Sequence, residues 1–308
     1  MREHDVISAD GTRIRVWRTD ADGPDVLLSP GLGAAPAVWP ELPGARVHTW
    51  HHRGTLDSDR PADPSRVELA DHVADALAVL DGAGVDRCVV MGWSMGVTVA
   101  AELALRHPER VTGLMLVTGA PGDSFAGFLG VPGLPVELRR LLGVAGVTAL
   151  KAAGPLLDAV LHRVPVPTVG GPLVESVRRY LGHDWRWYCT LALALGRTPR
   201  LDLTGVTCPT TVLAGRYDFL AAPEGVVTPV AGLPQARVRL LPNTHFLPLE
   251  NPRVVVEELA LLLDRADAVR RAVDAEARPG ADLGADAPEH VADAVAAGAL
   301  TSRSRPRA

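Results

Sequence analysis

Short, near-continuous apolar runs alternate with stretches of helical periodicity along most of this 308-residue chain, and no other feature narrows its fold as much. Runs at 12–17, 25–28, 46–50, 87–91, 113–117, 210–214 and 237–241 read as strands. A strand covered by helices on both faces needs apolar side chains on both. Runs such as Cys88-Val89-Val90-Met91 and Leu114-Met115-Leu116-Val117 therefore fit the interior of a parallel sheet. The spacing predicts helices over 66–81, 95–106 and 252–263. In the first, Leu69, Val73, Leu77 and Leu80 share a face, Ser65 with Glu68 has capping-box spacing, and Gly82 and Gly84 end the run. Pro108 stops the second. Strands alternating with helices give an α/β class, a mostly parallel central sheet with helices on both faces.

Residues 122–202 break this alternation. They are rich in Gly, Pro, Leu and Arg, with helical patches at 136–142 and 174–181 and no convincing strand. They are expected to form a helical lid inserted between a first core segment, 1–121, and a second, 203–265. Residues 266–308 are dominated by Ala, Asp and Arg, and are expected to be a frayed helix leading into a disordered tail.

Apolar residues at 47% and charged ones at 22% are globular proportions. Thirty-one basic against 36 acidic side chains leave a net charge of -5, which excludes a general attraction to nucleic acid or anionic lipid. Cys88, Cys189 and Cys208 form no C-x-x-C pair, so neither a disulfide framework nor a thiolate metal site is expected, and the default setting is reducing and cytoplasmic. The first 12 residues lack the apolar core of a signal peptide, and no run of 18 apolar residues follows. A soluble chain without stable membrane association is the expectation, and nothing in the sequence sets an oligomeric state.

The chemistry concentrates at strand ends. Gly92-Trp93-Ser94-Met95-Gly96 places G-x-S-x-G between a predicted strand and a predicted helix, the setting of a nucleophile elbow. A serine hydroxyl is a poor nucleophile unless an imidazole removes its proton and a carboxylate holds that imidazole in one tautomer. The strand at 210–214 runs into Gly215-Arg216-Tyr217-Asp218, and the strand at 237–241 into Pro242-Asn243-Thr244-His245. Both candidates lie just past the carboxyl end of a strand, where open α/β sheets place their sites. The candidate catalytic residues are Ser94, Asp218 and His245, with Asp123, also after a strand, as the alternative acid.

In these motifs the chain resembles the α/β-hydrolase superfamily, in its lid-bearing serine-hydrolase branch. The resemblance rests on Ser29-Pro30-Gly31-Leu32-Gly33, Arg53-Gly54, Gly92-Trp93-Ser94-Met95-Gly96, Gly215-Arg216-Tyr217-Asp218 and Thr244 to Pro252, in that order. It implies cofactor-free hydrolysis of an ester or related acyl compound, with the backbone N–H groups of Leu32 and Met95 as the oxyanion hole. Lactone or carbon-carbon bond hydrolysis, perhydrolysis and acyl transfer share the same frame, as do non-catalytic binding proteins. Two departures are visible: Pro30-Gly31 stands where the family usually has His-Gly, and His51-His52-Arg53-Gly54 where it more often has Asp-x-Arg-Gly.

Neither a metal nor a nucleotide cofactor is expected. His48, His51 and His52 lack the spacing of a metal site, and Gly31-Leu32-Gly33 lacks the third glycine of a dinucleotide fingerprint. The expected partner is a small, mainly apolar substrate. The chain has six Trp, three Tyr and four Phe, and these aromatics gather in residues 122–202 and beside the candidate triad. Trp93, Phe125, Phe128, Trp185, Trp187, Phe219 and Phe246 are therefore candidate pocket residues, with packing inside the lid as the competing role for its own members.

Overall fold

The computed structural model describes residues 1–127, 134–167 and 171–276, so Phe128 and the predicted tail beyond 276 lie outside the described residues. Met1–Ala268 form one compact unit, and a second begins at Val269. The elements run β1 (Arg2–Ile7), β2 (Arg13–Arg18), β3 (Asp25–Ser29), β4 (Arg46–Trp50), α1 (Leu69–Gly82), β5 (Cys88–Trp93), α2 (Gly96–Arg106) and β6 (Val111–Val117). Four helices follow: α3 (Val136–Ala152), α4 (Gly154–Leu161), α5 (Pro172–Leu181) and α6 (Trp185–Gly196). The chain then continues through β7 (Thr210–Gly215), α7 (Pro223–Val227), β8 (Ala236–Leu241), α8 (Leu247–Glu250) and α9 (Pro252–Glu276).

The strands form one sheet in the order β1-β2-β4-β3-β5-β6-β7-β8. From β4 through β8 neighbouring strands are parallel, while β1, β2 and β4 pair antiparallel. Successive side chains on a strand point to opposite faces, and the core divides accordingly. Leu27, Val90 and Leu116 meet Val73 and Leu80 of α1 and Val99 and Leu103 of α2 on one face. Their neighbours Leu28, Met91 and Met115 meet Val255, Leu259 and Leu262 of α9 on the other.

Seven strands match the apolar runs, with ends moved by no more than two residues. The eighth, β1, was not anticipated. Its sequence Arg-Glu-His-Asp-Val-Ile has no apolar alternation, and only Val6 is buried. It is an edge strand, on which charge is expected because charge discourages further strand addition. Its Asp5 pairs with Arg15 at 2.6 Å and Arg13 at 3.2 Å on β2.

Two helix boundaries also differ. Helix α1 starts at Leu69, capped by Glu68, whose N–H donates to the Asp71 carboxylate at 3.0 Å. Ser65 is spent on Asp63, to which its hydroxyl donates at 2.7 Å. Helix α9 continues past 263 to Glu276; beyond Leu263 its residues are mostly charged or alanine and its two valines, Val269 and Val273, are exposed, so no buried apolar stripe marks its length. Among the described residues the insertion between β6 and β7 holds four α-helices, and the patches at 136–142 and 174–181 fall in α3 and α5. Among the described residues no single helix is long and apolar enough to cross a membrane, although α3 and α4 together, bent by 69° at their junction, carry that much apolar sequence.

Candidate active site

Ser94 stands between β5 and α2 with φ of 56°, in the left-handed region that a residue bearing a Cβ seldom adopts. The turn is tight enough to exclude side chains on either side of it. A Cβ on Gly92 would sit 2.5 Å from the Gly96 carbonyl oxygen, and one on Gly96 would sit 2.2 Å from that of Ser29. The two glycines let strand and helix approach while the serine is lifted clear of the sheet.

The carboxyl ends of β5, β7 and β8 bring the three candidate catalytic residues together. His245 Nδ1–H donates to Asp218 Oδ2 at 2.9 Å, with Oδ1 at 3.1 Å. Because the carboxylate only accepts, the Nε2 lone pair is left facing Ser94, whose Oγ–H donates to it at 2.8 Å. Asp218 is buried and aimed by its own loop, since its Oδ1 accepts the N–H groups of Leu220 and Ala221, both at 2.8 Å. Asp123 is engaged elsewhere: its carboxylate accepts from Arg140 on α3 at 2.7 and 2.5 Å.

Two residues that steady His245 were not read as doing so from the sequence. The indole N–H of Trp93 donates to the His245 carbonyl at 3.2 Å, and the Thr118 hydroxyl donates to the same oxygen at 3.0 Å. Thr118 also has a positive φ, 39°. It follows β6 as Ser94 follows β5, and that position at a strand end was the available signal.

A cavity of about 310 Å³ opens over Ser94 and His245. Leu32 and Met95 line it, and among the described residues neither backbone N–H has a hydrogen-bond partner. Free donors beside a nucleophile are what an oxyanion hole requires. The other walls are mostly apolar, including Val38, Val177, Leu220 and Leu249, together with Tyr180 and Tyr188, whose hydroxyls are hydrogen-bonded to each other at 2.8 Å.

The aromatic expectation is corrected in part. Trp93 and Phe246 line the cavity, whereas Phe125, Trp185, Trp187 and Phe219 do not. Phe125 is buried within the insertion, packed so closely on Gly143 and Gly196 that neither could carry a side chain. Trp185 packs edge-on against Tyr180 at 5.6 Å and tilted against Tyr188 at 5.1 Å. Trp187 is buried and donates its indole N–H to the Arg53 carbonyl at 3.2 Å, fastening α6 to the core. Phe219 is half exposed. Among the described residues no group of three or more His, Cys, Asp or Glu side chains is arranged to hold a metal ion.

Comparison with known proteins agrees with this architecture. A family profile for the alpha/beta hydrolase fold matches residues 24–144. A protein named carbamate hydrolase RutD from Variovorax paradoxus is 40% identical over 103 residues, 32% of this chain and 38% of that protein. A pimeloyl-[acyl-carrier protein] methyl ester esterase from Photobacterium profundum is 33% identical over 134 residues, 41% of this chain and 50% of that one. The chain thus spans half or less of the length of these two curated relatives. Likeness of structure extends further. A hydrolase from Pseudomonas aeruginosa superposes with a TM-score of 0.64 at 25% identity, over 85% of this chain and 98% of that one. A thermophilic esterase from Thermogutta terrifontis gives 0.65 at 22%, over 86% and 99%.

Proposed function

We propose that this chain, which has the α/β-hydrolase fold, is a cofactor-free serine hydrolase acting on an ester or related acyl compound through an acyl-enzyme on Ser94. The observation that carries the reading is the continuous relay from Asp218 through His245 to Ser94, at 2.9 and 2.8 Å, beside two backbone N–H groups that are unpaired among the described residues. His245 Nε2 takes the serine proton as Oγ adds to the substrate carbonyl. Leu32 and Met95 then hold the oxyanion, each such donor contributing about 3 to 4 kcal/mol. The imidazolium returns its proton to the leaving group, and water repeats the sequence with His245 as base, releasing the acid and restoring Ser94.

A cavity of about 310 Å³ is at the small end of ligand sites, which suits a small, mainly apolar substrate. The carbamate and methyl ester in the names of the two curated relatives are both attacked at a carbonyl, so either is compatible with this route. Lactone or carbon-carbon bond hydrolysis, perhydrolysis and acyl transfer would use the same nucleophile.

Ser94→Ala should lower turnover of a short-chain aryl ester by about 10⁴-fold or more while leaving the fold intact. An organophosphonate should add one adduct mass to the wild-type chain and none to the variant. A wild-type chain that takes no adduct would instead be a non-catalytic binder built on this fold.

A further inference from the structure

Resting on the reading of Ser94 as nucleophile, we propose that His52 is a positioning residue that keeps the Leu32 N–H aimed at the reacting oxygen by holding the Pro30 carbonyl. The loop from β3 to Leu32 needs such a hold. Pro30 has no N–H, so its carbonyl is its only backbone hydrogen-bonding group. The next residue has no room for a side chain, because a Cβ on Gly31 would lie 2.9 Å from the Trp93 ring. Glycine leaves the following peptide plane free to turn, and that plane carries the Leu32 N–H.

Two hydrogen bonds remove this freedom. His52 Nε2–H donates to the Pro30 carbonyl at 2.9 Å, in a buried bond. Beyond the glycine, the Ala34 N–H donates to the Gly31 carbonyl at 3.0 Å. The Gly31 carbonyl and the Leu32 N–H belong to one planar group and point in opposite directions. With its carbonyl turned to Ala34 and the preceding carbonyl tied to His52, the Leu32 N–H is directed away from the loop.

His52 is well placed to act as an anchor. It is fully buried, edge-on to the rings of Trp50 and His72 at 5.9 and 5.1 Å. Burial lowers its pKa to about 4, so the ring stays neutral and its single proton is committed to the Nε2 that faces Pro30. It does not line the cavity over Ser94, so its effect on the reaction passes through the loop.

The test uses the whole chain and two variants. His52→Leu removes the donor, and His52→Gln keeps an N–H at nearly the same distance along the side chain. Rates on an aryl ester are normalised to the fraction of Ser94 titrated by an organophosphonate. The expected result is a kcat about 10 to 100-fold lower in His52→Leu, with KM changed less than about twofold, and kcat restored to within about threefold of wild type in His52→Gln. Wild-type kcat in His52→Leu would overturn the proposal. So would equal losses in both variants that track loss of folded protein by circular dichroism, which would assign His52 to packing alone. A wild-type chain without a Ser94 adduct would reject the serine-hydrolase reading itself, whatever the His52 variants do.

Discussion

At the scale of single residues, Ser94 holds a left-handed backbone conformation that costs a residue with a Cβ about 1 to 2 kcal/mol. That strain puts the hydroxyl in reach of His245, and it leaves a measurable trace. Ser94→Gly should be more stable than Ser94→Ala by about 0.5 to 1 kcal/mol, the relief of strain less the added unfolded-state entropy of glycine. Denaturant midpoints of the two variants would check this, and a less stable glycine variant would contradict the strain argument. The three candidate catalytic residues were legible in the sequence because each has a chemically suitable side chain within four residues of the carboxyl end of a strand, so local periodicity located them. Thr118 was not, since its partner oxygen belongs to a residue 127 positions away. Tyr180 and Tyr188 line the cavity and Trp185 and Trp187 do not, a difference composition does not carry, since it shows that aromatics gather in a segment without showing which side of a helix meets the cavity.

At the scale of elements, the motif residue Arg53 ties the end of β4 to α1 and to the turn between β1 and β2. Its guanidinium donates to Asp75 at 2.9 and 2.6 Å, to Asp10 at 2.8 Å, and to the carbonyls of Arg66 and Asp71 at 2.7 and 3.0 Å. Arg53 and Asp75 are both fully buried. Replacing Arg53 with Met would leave the Asp75 carboxylate without its counter-charge, at a cost of about 3 to 5 kcal/mol. Thermal unfolding should show the loss, and Arg53→Met with Asp75→Leu should recover part of it, as removal of a buried pair costs less than removal of one member. The carbonyl of the same residue receives the Trp187 indole, so one backbone position joins the inserted helices to the sheet.

Over the whole molecule, the histidines at the end of β4 and on α1 make stability depend on pH. Burial, and next the Arg179 guanidinium, lower the pKa of His51 to about 2; burial lowers His52 to about 4 and His72 well below its ordinary value. Unfolded histidines titrate near pH 6.5, so between there and the folded values the unfolded chain binds more protons. Stability is therefore full above about pH 6.5 and falls on acidification, by about 3 kcal/mol at pH 4 from His52 alone. Denaturant midpoints at pH 8, 6 and 4 should fall in that order, with a smaller fall in His52→Gln, which has no proton to gain. The sequence by itself determined the α/β class, seven of the strands, and the order of the candidate nucleophile, acid and base, because these follow from side-chain periodicity and from which residues lie just past the end of a strand. The tertiary structure decided the charged edge strand β1, the walls of the cavity, the hold of Trp93 and Thr118 on His245, and the contact between His52 and Pro30. Each of these joins segments distant in the chain, and only the packed sheet and helices bring their atoms within bonding distance.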